Sequence, residues 1–232
     1  MILSANQPYF MPYLAYWQLI DSADMFLVGD DYHYIRQGWI GRNRVLVGGE
    51  PAYIGINIKG ASPNKLISEM EIADVNESQI LGILRHNYCR APYFNETMEL
   101  MEGILRCPER NLSGFLTNSI EEVCRHIGIS TRIGKTSDFD TYGRLKKEER
   151  IYEYCRILGA DTYMNAVGGQ ELYSYEEFER HGVTLKFINS QLPPYPQRTE
   201  RFVPGLSIID VMMFNSKEQI SKMLTQYSLI EK

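Results

Sequence analysis

Apolar positions recur in two rhythms along the chain, and the switches between them mark out the elements. Short continuous apolar runs at residues 2–5, 25–28, 131–133, 161–164 and 184–188 read as buried strands. Spacings of three and four predict helices over 14–22, 148–158 and 175–181, and over 208–213 and 217–227 near the end of the chain. The middle of the chain is almost entirely helical in pattern. Residues 78–88 place Ile80, Ile83, Leu84 and Tyr88 on one face, 94–105 place Met98, Met101 and Leu105, and 112–127 place Leu112, Phe115, Leu116, Ile120, Val123 and Ile127. Ala91-Pro92 and Cys107-Pro108 punctuate these three helices. Before them, two extended stretches at 44–47 and 52–58 flank the turn signal GGEP, which predicts a hairpin.

Strands alternating with helices predict an α/β fold. The expected architecture is a mainly parallel, Rossmann-like sheet flanked by helices, with an inserted β-hairpin and a helical middle segment at 59–128, all within one domain spanning 1–232.

Composition narrows the function classes. With 44% hydrophobic and 23% charged residues, a chain of 232 residues can bury a sizeable core. A net charge of -5 argues against a general nucleic-acid binder, although a local basic patch stays open. No apolar run approaches the roughly 20 residues of a membrane span, and Asn6 interrupts the first apolar stretch too early for a secretory signal. Cys89, Cys107, Cys124 and Cys155 are scattered without a CxxC pair, which suits reduced thiols in a cytoplasmic protein. The 16 tyrosines suit either polar-ligand sites or a semi-buried core.

The polar segments that follow the expected strands carry the chemistry. They are Asn6-Gln7-Pro8-Tyr9, Asp30-Asp31-Tyr32-His33, Lys135 to Asp138, Asn165 to Gly169, and Asn189-Ser190-Gln191. In a parallel sheet, ligands bind outside the carboxyl ends of the strands, so these five loops point to a ligand-binding enzyme. The plain alternative is that loops are polar in any protein. Gly134-Lys135-Thr136-Ser137 ends like a phosphate-binding loop, but the preceding Gly128 is one residue too distant. Gly168-Gly169 suits either a close backbone approach to phosphate or an ordinary turn. There is no GxGxxG and no GxSxG motif. Asp30, Asp31 and His33 form the nearest thing to a metal set, yet adjacent carboxylates diverge on an extended chain, so no metal is expected.

Two basic clusters remain. Trp39-Ile40-Gly41-Arg42-Asn43-Arg44 combines guanidiniums able to grip phosphate with an indole face for stacking; an exposed basic turn is the alternative. Lys146, Lys147 and Arg150 open a helix, where the dipole disfavours cations. They serve either an anion or their neighbours Glu148 and Glu149.

Taken together, NQPYFMPYLAYW, DDYHYIRQGWIGRNRV, RAPYF, KEERIYEYCRILGADTY, the Gly168-Gly169 loop and the tail YPQ…FVPGLSIIDVM resemble the WbqC-like protein family over almost the full chain. That resemblance implies a bacterial cytoplasmic protein of O-antigen or other surface-polysaccharide biosynthesis. It further implies a transferase acting on a nucleotide-activated amino sugar, by acyl or aminoacyl transfer. Asn6 stands where the family pattern has histidine, and Ala15 where it has glycine before Tyr16. An amide cannot accept a proton at useful pH, so Asn6 can only orient a ligand.

The expected roles follow from residues and resemblance together. Arg42 and Arg44, with Lys147 or Arg150, would hold phosphates. Trp39 or Tyr9 would stack on a base or sugar, and Gln7 and Asn43 would bind hydroxyls. Asp30 or Asp31 would be the base. Tyr16, Asn165, Gly168, Gly169, Tyr195 and Gln197 complete the expected binding set. The cofactor stays unidentified, and a homodimer is an expected state. A nucleotidylyltransferase-like enzyme and a non-catalytic nucleotide-sugar-binding protein are the two competing functions.

Overall fold

The computed structural model describes residues 1–231, the side chain of Lys147 excepted. Six strands form the central sheet: β1 (Ile2–Asn6), β2 (Met25–Val28), β7 (Arg132–Lys135), β8 (Thr162–Ala166), β9 (Thr184–Ser190) and β10 (Tyr227–Ile230). Their order across the sheet is β10-β9-β8-β1-β2-β7. Strands β1, β2, β7, β8 and β9 are parallel, and only β10 runs against its neighbour β9. The protein is therefore an α/β protein with a mostly parallel sheet flanked by helices.

The continuous apolar runs have their cause in this layering, because a central parallel strand is covered on both faces. Alternate residues go to opposite sides. Phe26 and Val28 of β2 join the larger core with Trp17, Leu19 and Ile20 of α1 (Leu14–Asp21). Leu27 joins Leu3 and Ala5 of β1 in a second core with Ile151, Tyr154 and Cys155 of α5 (Lys147–Leu158) and Phe178 of α6 (Tyr175–Arg180). Fully burying each large apolar side chain contributes roughly 1.5–3 kcal/mol, so the two layers clamp β1 and β2 from both sides.

Between β2 and β7 the chain leaves the sheet. β3 (Arg42–Val47) and β4 (Glu50–Gly55) pair antiparallel through a two-residue turn at Gly48 and Gly49. Both glycines have positive φ, +61° and +88°, the backbone a two-residue hairpin of this twist requires. The extended stretch expected at 52–58 is divided. Ile56 donates its N–H to the Gly41 carbonyl, and the chain then starts a second small sheet, β5 (Asn57–Lys59) against β6 (Glu71–Asp74). Gly55 sits at the break, where a Cβ would meet the Gly41 carbonyl at 2.5 Å.

Helices α2 (Glu77–Tyr88), α3 (Phe94–Leu105) and α4 (Leu112–Ile127) follow, with α7 (Ile208–Phe214) and α8 (Lys217–Leu224) packed against the same core. The helix expected over 217–227 stops at Leu224. Thr225 caps it, and residues 227–230 reverse to form β10, so Tyr227, read as the end of the helix, begins an unforeseen edge strand. Among the described residues, no helix is long and apolar enough to cross a membrane.

The burial pattern sorts the four free thiols. Burial pushes the Cys124 and Cys155 thiols up to about 12, which suppresses the reactive thiolate. A maleimide applied to the native protein is expected to label exposed Cys89 first and to reach Cys124 and Cys155 only after denaturation. Mass-spectrometric mapping checks this, and native labelling of Cys155 at the rate of Cys89 would contradict the packing of α5.

Candidate functional site

Strands β1 and β8 are neighbours, but their onward connections diverge: β1 leads to β2 on one side and β8 leads to β9 on the other. Such a switch in direction opens a crevice at the carboxyl ends of the strands. A cavity of about 790 Å³ occupies that position. Asn6, Gln7 and Tyr9 contribute from the end of β1, and Asp31, Tyr32 and His33 from the end of β2. Asn165, Gly168, Gly169 and Tyr173 follow β8, while Lys146, Glu148 and Arg150 come from the start of α5.

The opening loop that supplies Gln7 and Tyr9 is held from behind at four of its carbonyls. Tyr16 donates its hydroxyl to the Gln7 carbonyl at 3.0 Å, and Asn43 donates Nδ2 to the Phe10 carbonyl at 3.2 Å. Ser207 donates Oγ to Met11 at 2.8 Å, and Trp17 donates Nε1 to Pro12 at 2.9 Å. These bonds hold Met11 at a left-handed φ of 47°, a conformation a non-glycine side chain keeps only when its surroundings dictate it. The ring of Tyr9 packs 5.5 Å from that of Tyr16.

Two asparagines mark the adjacent strand ends. Asn6 Oδ1 accepts the Gln7 N–H at 2.8 Å, and Asn165 Oδ1 accepts the Ala166 N–H at 2.7 Å. Each backbone donor fixes which end of the amide is oxygen, and Asn165 Nδ2 donates in turn to the Tyr163 hydroxyl at 3.4 Å.

Asp30 and Asp31 part company at the end of β2. Asp30 is 1% exposed and lies behind the cavity wall, where its carboxylate accepts the hydroxyls of Ser113 (2.6 Å) and Ser137 (2.8 Å) and the Ser137 N–H (3.0 Å). Asp31 lines the cavity and forms an ion pair with Arg150, each side chain only 4% exposed. Thr136 donates to the second Asp31 oxygen at 2.6 Å. Burial alone would lower the Arg150 guanidinium, but the hydrogen bonds to Asp31 and Tyr154 hold it above its usual value. The Tyr154 hydroxyl lies 2.8 Å from Arg150 Nη2, and the Tyr32 ring lies 5.2 Å from the guanidinium carbon.

The other expected site residues lie elsewhere. Arg42 donates to the carbonyls of Gln37 and Gly38 and stacks 4.2 Å over Tyr53, beside a separate 310 Å³ groove. Arg44 reaches the Gly205 carbonyl at 3.4 Å and lies 5.5 Å from the Trp39 ring. Asn43 is buried as the brace described above, and Tyr16 is buried behind the loop. Tyr195 and Gln197 hydrogen-bond Asp210 at 2.7 and 3.0 Å, in a buried knot that also takes the Tyr88 hydroxyl at 2.6 Å. The side chain of Lys147 lies outside the described residues.

Tyr32, Tyr142 and Tyr173 line the cavity without having been singled out. Tyr32 falls in a strand-end segment, whereas only the high tyrosine count signalled Tyr142 and Tyr173. Burial raises the Tyr9, Tyr32 and Tyr173 hydroxyls above their ordinary value, so they stay neutral at working pH. Among the described residues, no three His, Cys, Asp or Glu side chains are placed to hold a metal ion.

A polar, aromatic-lined cavity at the switch point of a mostly parallel α/β sheet lies where proteins of this fold class commonly hold small molecules. The sequence model of the WbqC-like protein family matches residues 7–222, and the chain belongs to that family. It is 24% identical over 213 residues to an uncharacterized Mycobacterium tuberculosis protein, Rv1507c, covering 90% of this chain and 91% of that one. No solved structure gives a significant match.

Removing one partner of a buried ion pair strands the other charge. Arg150→Met and Asp31→Asn are each expected to destabilise the fold, with Arg150→Met costing about 3–5 kcal/mol. The double replacement should cost clearly less than the sum. Urea unfolding of the four proteins measures this coupling, and strict additivity would contradict the pairing.

Proposed function

We propose that the chain is a cytoplasmic transferase acting on a nucleotide-activated amino sugar in bacterial surface-polysaccharide biosynthesis, by acyl or aminoacyl transfer. The observation that carries this proposal is the cavity at the β1/β8 switch point, whose volume falls within the range of small-molecule sites. Family membership supports it further. Counted along the chain, the five parallel strands lie in the order 3-2-1-4-5 (β7-β2-β1-β8-β9), which supports a Rossmann-like description and nucleotide use. Four free cysteines suit a reducing compartment.

Within this proposal Asp31, not Asp30, is the carboxylate in reach of a ligand, because three donors enclose Asp30 behind the wall. His33 is a second polar side chain on the cavity, exposed at its rim. Lys146 and the Gly168-Gly169 backbone would face the phosphates. A non-catalytic binding protein is the second reading, favoured by two observations: Asp31 is already paired with Arg150, and Asn6 stands where the family pattern has histidine.

A thermal-shift screen of nucleotide sugars tests binding. A ligand present at a hundred times its dissociation constant stabilises by about 2.7 kcal/mol. For a chain of this size that raises Tm by roughly 5–10 °C. Incubation of the bound sugar with acyl and aminoacyl donors then separates the readings: a modified sugar supports the transferase, and binding without turnover supports the binding protein. No shift with any nucleotide sugar would contradict both.

A further inference from the structure

The candidate cavity inverts the usual distribution of side chains between interior and surface. Its buried and half-buried lining includes Asn6, Gln7, Asp31, Arg150 and Asn165, with tyrosine rings and alanines between them. No leucine, isoleucine, valine, methionine or phenylalanine lies at that inner end among the described residues. The large aliphatic side chains on the cavity, Ile35, Leu145 and Leu172, all stand at the exposed end, joined there by Tyr142. Folding normally sends aliphatic groups inward and leaves polar ones at the surface. Here the inner end is polar and the mouth is apolar.

Three separate segments build this mouth. Ile35 follows β2, Tyr142 and Leu145 precede α5, and Leu172 follows β8. Ile35 is 54% exposed and Leu172 64%. A single exposed leucine is ordinary, but apolar side chains from three loops around one opening form a patch.

Two kinds of macromolecule match the patch poorly. Protein interfaces have an apolar centre and a polar rim, and this mouth has the reverse. Anionic lipid surfaces draw clusters of cations, whereas the mouth pairs Lys146 with Glu148, of opposite sign, among the described residues. A polar end beneath an apolar collar is matched instead by one molecule with the same two parts. Its polar head enters the inner half, and its hydrocarbon chain crosses the collar on the way out. The Tyr142 ring, 5.8 Å from the Arg150 guanidinium carbon, joins the two halves.

We propose that the outer half of the cavity is a subsite for a hydrocarbon chain longer than acetyl, carried by a ligand whose polar part occupies the inner half. This rests on the transferase proposal in taking the cavity as the substrate site, and it narrows the group transferred. An aminoacyl group would bring an ammonium against aliphatic side chains, which burial disfavours, whereas a chain-bearing acyl group gains from the contact. Ile35 and Leu172 are then specificity-determining residues for chain length.

The test titrates the full chain with two series that differ only in chain length, below the concentrations at which they aggregate. One is N-acylglucosamines and the other acyl-pantetheine thioesters, each running from acetyl to octanoyl. Affinity in at least one series is expected to rise about two- to fourfold per added methylene, the upper figure being full burial. Replacing Ile35→Ser and Leu172→Ser together should cut the ratio of octanoyl to acetyl affinity by about tenfold or more. Both side chains are exposed, so the unfolding midpoint should stay close to that of the unmodified chain.

No binding, no rise with length in either series, or a rise that survives the double replacement would overturn the subsite. A dimer that the double replacement splits in sedimentation would also overturn it, by giving the collar to a second copy. Phosphatidylglycerol vesicles that pellet the unmodified chain but not the variant would do the same for a membrane surface. The two proposals fail separately. Nucleotide sugars that raise Tm beside a flat acyl series leave the transferase proposal standing without this subsite. A series that tightens with length, with no nucleotide sugar binding, leaves the subsite standing alone.

Discussion

Two adjacent carboxylates at the end of β2 tie the architecture together. They sit in the turn that follows β2, and each finds a different main partner. Asp30 reaches back to Ser113 at the start of α4 and to Ser137 after β7. Asp31 reaches forward to Arg150 on α5. Thr136 touches both, at 3.3 and 2.6 Å. Burying a carboxylate costs several kcal/mol unless it is paired and hydrogen-bonded. Satisfying this pair therefore dictates where α4, the segment after β7 and α5 must meet, and the cavity is bounded by that meeting.

The opening loop solves a similar problem with neutral groups. Its prolines remove backbone donors and its carbonyls would otherwise lie unpaired, so four side chains, two from α1, one from β3 and one from the N-cap of α7, donate to Gln7, Phe10, Met11 and Pro12. Several of the residues that carry the family resemblance are these donors. Tyr16, Trp17, Asn43 and Ser207 hold the loop, while Gln7 and Tyr9 face the cavity.

That division explains what was legible in the sequence. Strand ends were readable because a buried strand followed by a polar loop has a local signature, and Asn6, Gln7, Tyr9, Asp31, Arg150, Asn165, Gly168 and Gly169 all line one cavity. The Trp39 to Arg44 cluster had no such local key. Its guanidiniums look free in one dimension, yet carbonyls of Gln37, Gly38 and Gly205 and the rings of Tyr53 and Trp39 engage them. Tyr195 and Gln197 were equally opaque, because Asp210 satisfies them only after the tail has folded back. Strand β10 escaped because the four residues Tyr227–Ile230, with Ser228 among them, have no period long enough to separate strand from helix.

The central claim is that ligand binds where β1, β2 and β8 end, on the opposite arm of the loop network from the β3–β4 hairpin. Hydrogen exchange of the intact protein, with and without a nucleotide sugar identified by thermal shift, tests it directly. Protection is expected in segments 6–9, 31–35, 142–150 and 165–173. Protection confined to 37–55 or 195–210 would contradict the account and return the site to the hairpin arginines or the Asp210 knot.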